Sequence, residues 1–347
     1  MRNGRKNKTV LFVLMGALLA GVLFLSLTRG QIDVPVQAAL TVIGRQMGLP
    51  GLPDGLLTPE QTATVWYIRL PRALTGLLVG AALGVSGAVL QGVFGNPLAD
   101  PGMIGVSSGA SLGAVLAIAL GVTASSIFYL PFFALTGALL AMAMTIFLAM
   151  REGKMPVMVL LLAGVAVSMF LGALTSGILT FMNEYRLREY LFWLVGGLDN
   201  RRWEHVYMAV GPVLAGTVIL CLLARHLNVL ALGEAEARSV GAPVAALRLI
   251  LLFTAAVTTA SAVCVSGTIS FVGLIVPHIM RILLGPEHRT LLPACALAGG
   301  LFLVGCDTVG RLIVPPAEIR VGIMTALTGA PYFLYLLRRV QKGGDLS

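Results

Sequence analysis

The chain has 347 residues, of which 57% are apolar and only 11% are charged, and its formal net charge is +9. Soluble domains usually carry about 25% charged residues, so this composition excludes a soluble enzyme, a disordered chain and a disulfide scaffold. The four cysteines are interpreted as small buried hydrophobic residues because none has CxxC spacing; they are Cys221, Cys264, Cys295 and Cys306. The composition predicts a membrane protein.

Ten apolar runs follow one another along the chain, and most are long enough to cross a membrane. A helix needs about 20 apolar residues to cross ~30 Å of hydrocarbon. These runs predict an all-α polytopic membrane protein with ten transmembrane helices, organised as a single transmembrane domain over residues 1–347. The predicted spans are 9–28, 68–91, 103–121, 129–150, 156–180, 205–225, 247–267, 271–284, 290–310 and 318–337.

Two of these spans need comment. The first follows the basic segment MRNGRKNK and could be a signal peptide, but the run from Thr9 to Thr28 exceeds the usual ~7–15 apolar residues, and no A-x-A site follows. It is interpreted as a retained helix with its basic end inside. The eighth span is short, and its FVGLIVP stretch before Pro277 is expected to be a broken or partly re-entrant helix.

The distribution of basic residues predicts the orientation. An even number of spans puts both termini on one side. Placing them inside puts every lysine, and 14 of the 24 basic residues, on the inner side. This satisfies the positive-inside rule, so the orientation of the helices in the membrane explains the positive net charge. No nucleic-acid partner is needed to explain it.

A short repeat relates the second and seventh spans. Val85-Ser86-Gly87 followed by Pro97 recurs 180 positions later as Val265-Ser266-Gly267 followed by Pro277. The predicted topology runs these two spans in opposite directions, as an inverted repeat in a transporter requires. The chain is accordingly divided into a first helix plus outer segment (1–64), a first repeat (65–180), a sixth helix with an inner loop (205–246) and a second repeat (247–339).

Few residues offer catalytic or energy-coupling chemistry. Asp307, His278 and Arg281 lie towards span ends and are interpreted as interfacial groups, which disfavours a carboxylate-driven secondary transporter. The one Gly-Lys pair, at 153–154, precedes Met155 instead of the Ser or Thr of a phosphate loop. The chain also lacks an HExxH motif. It is therefore predicted not to be an enzyme, and any ATP that drives it must be bound by another subunit.

Two rows of glycines with four-residue spacing occur in spans two and three. Such rows let helices approach closely, so helix packing is the expected role, and lining of a translocation path is the alternative. The rows are Gly76, Gly80 and Gly84 in one span, and Gly105, Gly109 and Gly113 in the next.

Two connectors stand out. The longest inner loop contains ALGEAEARSVG, which predicts a short helix with a Glu234–Arg238 pair and a stop at Gly241 and Pro243. Spacing alone leaves open whether it is a solvated loop or a helix that docks on a partner. The second connector is RLPR at 69–72 on the outer side, where Arg311 also lies. Taken alone, Arg69, Arg72 and Arg311 are interpreted as arginines whose side chains extend to the membrane–water interface.

Seven ordered sequence blocks run from about Val65 to Arg339. They are RLPR (69–72), SGAVLQGVFGNPLADPGMIGVSSGA (86–110), FWLVGGL (192–198), LGEAEARSVG (232–241), GTISFVGLIVPHIMR (267–281), GPEHR (285–289) and PPAEIRVGIMTALTGAPYFLYLL (315–337). In these blocks the chain resembles the permease subunits of ABC importers for iron–siderophore complexes, haem and cobalamin, of the FecCD/BtuC type. The first 60 residues resemble the family only in that they form a helix followed by an outer segment.

The resemblance implies the fold and the assembly of a type II ABC importer permease. It implies ten helices per subunit, a homodimer with the path at its interface, two cytosolic ATPase subunits and an extracytoplasmic substrate-binding protein. The protein is expected in a bacterial cytoplasmic (inner) membrane as a multi-pass subunit. It is expected to bind no cofactor itself, with ATP and Mg used by the partner ATPase.

The resemblance also implies three groups of site residues. Arg69, Arg72 and Arg311 match positions that face acidic residues of the binding protein. Asn96 and Leu98 match positions that narrow the cytoplasmic end of the path, and the stretch Lys154–Val157, with Met155 and Val157, is expected to add to that gate. The block LGEAEARSVG matches the helix that docks on the ATPase, here with Leu232, Gly233, Ala237 and Gly241.

The transported chelate is not specified by the sequence, because no cluster of Tyr or His lines a span. Iron–siderophore or haem is the preferred substrate and cobalamin the second, following their frequency in the family. The main rival class is a secondary transporter with an inverted repeat, which would need a buried Asp or Glu facing the path. An exporter or channel subunit would leave the outer Arg69, Arg72 and Arg311 unexplained.

Overall fold

The computed structural model describes residues 2–30, 32–49, 58–150 and 155–341. Within these ranges the regular elements are all helices. They are α1 (Arg2–Thr28), α2 (Val36–Gln46), α3 (Pro59–Thr62), α4 (Leu70–Phe94), α5 (Val106–Leu120), α6 (Tyr129–Ala149), α7 (Val157–Thr180), α8 (Glu184–Val195), α9 (Trp203–Leu222), α10 (Ala224–Leu230), α11 (Glu234–Ser239), α12 (Val244–Ser266), α13 (Val272–Leu284), α14 (His288–Leu312) and α15 (Val321–Gln341).

Each predicted span coincides with a helix, although not all of these helices have full crossing length. In the described ranges, seven helices are long and apolar enough to cross a membrane, beginning with Lys8–Thr28 and ending with His288–Leu312. Three shorter apolar helices, Val106–Leu120, Val272–Leu284 and Val321–Leu336, occupy the predicted third, eighth and tenth spans. The chain is therefore an all-helical integral membrane protein.

The second span begins earlier than predicted. Thr58 caps α3 through its side chain, and a π-helical segment, Ala63–Arg69, continues into α4 without a break. Pro71 lies inside this continuous helix and removes one intrahelical donor, but the carbonyl of Trp66, five residues earlier, accepts instead from the Trp203 indole N–H at 2.9 Å. This arrangement turns the RLPR motif into part of a continuous helix.

The break around the eighth span also lies earlier than predicted. The non-helical residues are 267–271, and α13 then runs through Pro277 without interruption. Because Pro277 has no N–H, the carbonyl of Gly273 one turn earlier loses its helical partner. The side-chain amide of Gln91 on α4 donates to that carbonyl at 3.3 Å, which satisfies it inside the bundle.

The glycine rows pack helices together, as expected. A Cβ on Gly80 would lie 2.2 Å from the carbonyl oxygen of Gly299, so α4 and α14 approach to backbone contact. A Cβ on Gly113 would lie 2.0 Å from the carbonyl oxygen of Phe133, which joins α5 to α6 in the same way. The close α4–α14 pair positions the outer arginines.

Candidate functional sites at the two ends of the bundle

A buried ion-pair cluster joins α4 to α14 at the end of the bundle where RLPR lies. The guanidinium of Arg72 donates to both carboxylate oxygens of Asp307, with Nη2–Oδ1 at 2.8 Å and Nε–Oδ2 at 3.0 Å. Its Nη1 donates to Glu318 Oε2 at 2.7 Å. Such bidentate, charge-assisted bonds fix the geometry of both partners. The sequence interpretation of Asp307 as a simple interfacial group missed this pairing.

The other two predicted docking arginines belong to the same cluster. Arg311 donates from Nη2 to Ser26 Oγ at 2.8 Å, and its Nε lies 3.4 Å from Asp307 Oδ2. Arg69 donates to two backbone carbonyls, that of Leu27 in the last turn of α1 and that of Ile32, which follows α1. The cluster therefore also ties α1 to the α4–α14 pair.

The three arginines are buried in the isolated chain but line one small pocket. Arg69, Arg72 and Arg311 are 5%, 8% and 5% exposed, respectively, and share a pocket of about 130 Å³ with Glu318. The three guanidinium groups outnumber the carboxylates of Asp307 and Glu318 by one, and Asp33, whose charge also acts on Arg69, pairs with Arg29. The structure thus brings the three predicted docking residues together. One further carboxylate would neutralise the remaining positive charge of the cluster.

At the opposite end of α4, the predicted gate residues Asn96 and Leu98 form a tight turn. The Asn96 side-chain oxygen accepts a hydrogen bond from the Leu98 N–H at 2.9 Å, and both residues are half-buried. Asp100 follows and caps a short 3₁₀ helix by accepting from the Gly102 N–H at 2.8 Å. Burial raises the pKa of the Asp100 carboxyl, and this hydrogen bond opposes the increase.

The second predicted gate segment precedes α7. Lys154 lies outside the described residues, whereas Met155 is buried and Val157, the first residue of α7, is half-buried. The Met155 carbonyl accepts a hydrogen bond from the Arg248 guanidinium on α12.

The predicted inner helix is present as α11, with the expected Glu234–Arg238 ion pair. Gly233 and Gly241 have φ angles of +117° and +78°, a backbone conformation that glycine adopts without strain. They bracket α11 and allow the chain to reverse on both sides of it.

The residues that the resemblance assigns to ATPase docking differ in their exposure. Ala237 is fully buried against the chain itself, so it does not face outward. Leu232 and Val240, just outside the two ends of α11, are 70% and 71% exposed. Exposed apolar side chains at both ends of a helix suit contact with a partner more than with solvent.

Arg248 is a further candidate that sequence reasoning missed. It is 6% exposed, and besides the Met155 carbonyl its guanidinium lies 3.4 Å from Glu234 Oε2 of α11. One buried side chain therefore connects α11 to a predicted gate residue. The available signal was an arginine inside the predicted span 247–267, where a charge is costly unless it is paired.

The chain is similar over most of its length to transport proteins. It is 43% identical to the cobalamin import system permease protein of Halobacterium salinarum, over 93% of this chain and 94% of that protein. It is 42% identical to the hemin transport system permease protein of Yersinia pestis, over 81% and 85%. A solved structure, described as an inward-facing conformation of a metal-chelate type ABC transporter, matches with a TM-score of 0.83 and 34% identity, over 95% of this chain and 99% of that one.

The all-helical membrane bundle and its similarity to these permeases define a polytopic transport permease. The sequence profile of the FecCD transport family matches residues 17–339, which is most of the chain. The chain belongs to the FecCD transport family. The resemblance drawn from the seven sequence blocks is confirmed.

Proposed function

We propose that this chain is the permease subunit of an ATP-driven ABC importer that takes up a bulky metal chelate. The match to the FecCD family over residues 17–339 supports the transport role. The names of relatives that carry cobalamin and hemin support a metal–tetrapyrrole or a chelate of similar size. Iron–siderophore complexes remain within the proposed class.

The proposed assembly follows the same reasoning. The seven long and three shorter apolar helices would make ten crossings in a cytoplasmic membrane, with both termini in the cytosol and with 65–180 and 247–339 as inverted repeats. Two copies would form the path at their interface. Two ATPase subunits would bind ATP and Mg on the cytosolic side, and a substrate-binding protein would dock on the opposite side.

On the outer side, we assign docking of the binding protein to the arginine cluster. The cluster holds one more guanidinium than carboxylate, so a carboxylate of the binding protein would complete it. Glu318 is 31% exposed at its side chain and therefore meets an incoming carboxylate first. Docking then requires Glu318 to share or give up the Nη1 of Arg72.

On the inner side, the exposed apolar pair Leu232 and Val240 carries the proposal that α11 is gripped by the ATPase. The pair flanks a short helix in a connector between α9 and α12. An apolar patch at this place would be buried in a groove of the partner. Because Ala237 is packed inside the chain, movement of α11 would be transmitted rigidly to Arg248.

Arg248 supplies the next step of the proposed coupling. Its guanidinium contacts Glu234 on α11 and the carbonyl of Met155 in the predicted gate. Displacement of α11 by the ATPase would pull on the residues before α7. The Asn96–Leu98 turn is proposed as the other side of the same gate.

The rival secondary transporter would need a carboxylate that is free to bind a coupling ion. The buried carboxylate of Asp307 is instead held by Arg72 and Arg311. Such pairing occupies this carboxylate, which suits a structural or docking role.

Val240→Asp tests the coupling proposal. A carboxylate in an apolar groove would be desolvated without a partner, so we expect affinity for the ATPase subunit to fall at least about tenfold. Docking of the binding protein, measured in parallel, should stay unchanged. His226→Asp adds the same charge on the exposed surface of α10 and serves as the matched control.

Unchanged ATPase affinity and ATP-driven uptake in Val240→Asp would contradict the coupling role of α11. Ala237→Trp is unsuitable for this test because the added ring would disrupt the chain's own packing.

The substrate is tested separately, by purifying the cognate binding protein and measuring whether it retains cobalamin, haem or an iron–siderophore complex.

A further inference from the structure

A cavity of about 680 Å³ opens at the end of the bundle where α1 begins and α4 ends. It lies between the ends of α4 and α13 and the beginning of α14. Its walls are mostly apolar, and its polar lining residues are Lys8, Gln91, Asn96, Asn228, Arg281, Glu287 and His288. A pocket of this size and composition is typical of a small-molecule site.

His288 offers a buried hydrogen-bond acceptor to this cavity. Its backbone N–H donates to Asn228 Oδ1 at 2.9 Å, which fixes the orientation of the Asn228 amide. The His288 Nδ1 lies 2.7 Å from the same oxygen and must therefore donate as well. In the neutral ring Nε2 is then an acceptor. The residue is 4% exposed, and Nε2 has no hydrogen-bond partner among the described residues.

Gln91 offers a second acceptor of the same kind. Its Nε2 donates to the carbonyls of Gly273 and Leu274, each at 3.3 Å, which assigns the other amide atom as oxygen. The residue is 3% exposed, and Oε1 is buried without a partner in the described part of the chain. Buried acceptors without partners are costly, so two on one cavity point to a ligand that donates hydrogen bonds.

Arg281 supplies the charge. It is half-buried and lines the cavity, and no described residue pairs with its guanidinium. Lys8 and Glu287 lie 3.8 Å apart and balance each other. With His288 neutral in the tautomer assigned above, the described lining residues carry one net positive charge, and the ligand should carry one negative charge.

We propose that this cavity binds the headgroup of an anionic glycerophospholipid that bears hydroxyl groups, as phosphatidylglycerol does. The phosphodiester pairs with Arg281, and the headgroup hydroxyls donate to Gln91 Oε1 and His288 Nε2. The mostly apolar walls favour a lipid over free phosphate, and helix ends lie at the depth of lipid headgroups. Because Asn96 and Leu232 also line the cavity, a bound lipid would contact both the proposed gate and the approach to α11.

Lipid binding to the purified chain tests this inference without ATPase or binding protein, so its failure is distinguishable from failure of the proposed function. Phosphatidylglycerol retention is measured by native mass spectrometry against phosphatidylcholine, phosphatidylethanolamine and glycerol 3-phosphate. We expect preference for phosphatidylglycerol, and Arg281→Gln should weaken its binding about tenfold or more. Arg225→Gln, an exposed arginine on α10 outside the cavity, should leave it unchanged.

Ala231→Trp provides a second variant that keeps Arg281 and fills part of the cavity, and it should also weaken binding. Equal retention of phosphatidylcholine, or unchanged phosphatidylglycerol binding in both Arg281→Gln and Ala231→Trp, would overturn the proposal. Equal competition by glycerol 3-phosphate would assign the site to a soluble phosphate ester instead. Loss of ATPase affinity in Arg281→Gln with unchanged lipid binding would assign it to a protein carboxylate.

Discussion

The two ends of the bundle are held together in different ways. At the end proposed to face outward, Arg72, Asp307 and Arg311 are buried side chains that pair with one another across α4 and α14. At the end proposed to be cytosolic, α11 is anchored by the buried Ala237 and by Arg248, and its flanking residues Leu232 and Val240 are exposed. The proposed outer end is densely cross-linked by charge, whereas the proposed inner end carries a short helix with two anchoring residues and open apolar surface.

This difference suits the two proposed partners. A binding protein that docks and leaves needs a rigid, preorganised surface. Buried ion pairs hold Arg72 and Arg311 in place, and hydrogen bonds to backbone carbonyls hold Arg69. An ATPase that does mechanical work needs an element that can move relative to the bundle. Substitutions at the proposed outer end should therefore lower stability as well as function, whereas substitutions at the proposed inner end should lower chiefly function.

The largest effect is expected from Asp307→Ala. It leaves Arg72 and Arg311 buried with fewer negative partners, and breaking a buried pair costs about 3–5 kcal/mol. Denaturant unfolding in detergent should show this loss. Asp33→Ala, which breaks an exposed pair with Arg29, should change stability by only about 0–1 kcal/mol. Equal effects of the two variants would show that the outer cluster does not hold α4 and α14 together.

A smaller effect is expected from Gly80→Ala in the same helix pair. The added methyl would lie 2.2 Å from the Gly299 carbonyl oxygen, so α4 and α14 must separate, at about 1–3 kcal/mol. Gly172→Ala on α7 meets nothing within 4 Å and should be neutral or stabilising. The same unfolding assay compares them, and a neutral Gly80→Ala would show that the α4–α14 contact is looser than described.

Arg248→Gln should affect stability less than transport. It removes the hydrogen bond to the Met155 carbonyl and the contact with Glu234, at about 1–2 kcal/mol. If Arg248 links α11 to the gate, ATP hydrolysis should continue while uptake per ATP falls about tenfold. Arg225→Gln on the exposed face of α10 is the control. Normal coupling in Arg248→Gln would place the link elsewhere, for example in the Asn96–Leu98 turn.

The smallest effect on stability is expected from Glu318→Gln, at about 0–1 kcal/mol, because this carboxylate is partly exposed. If Glu318 competes with a carboxylate of the binding protein, its neutralisation should strengthen docking about threefold at low salt, with less effect at high salt. Surface plasmon resonance at two ionic strengths measures this. Weaker docking would mean that Glu318 itself contacts the partner.

Sequence patterns predicted the elements that depend on local information. The apolar runs placed the seven helices of spanning length and the three shorter apolar helices found in the described ranges, and the Glu234–Arg238 spacing with its flanking glycines placed α11. The glycine rows indicated close helix pairs correctly, although they did not say that Gly80 faces Gly299.

The features that depend on distant contacts were not predictable in the same way. The RLPR spacing suggested arginines that extend to the interface, but Arg72 is buried and pairs with Asp307. This partner lies 235 residues away in the sequence, so local spacing could not identify it. The orientation of Ala237 towards the chain likewise depends on how α11 packs against the helices that follow it. The partners of Arg248 and the acceptors of the inner cavity arise only when separate helices meet.

The most direct test of the proposed function is uptake by proteoliposomes assembled from this chain, its cognate ATPase and its binding protein, with each component omitted in turn. We predict that a labelled chelate that the binding protein retains enters only when all three components and MgATP are present. Uptake driven by an ion gradient without the ATPase, or undiminished when the binding protein is omitted, would contradict the account.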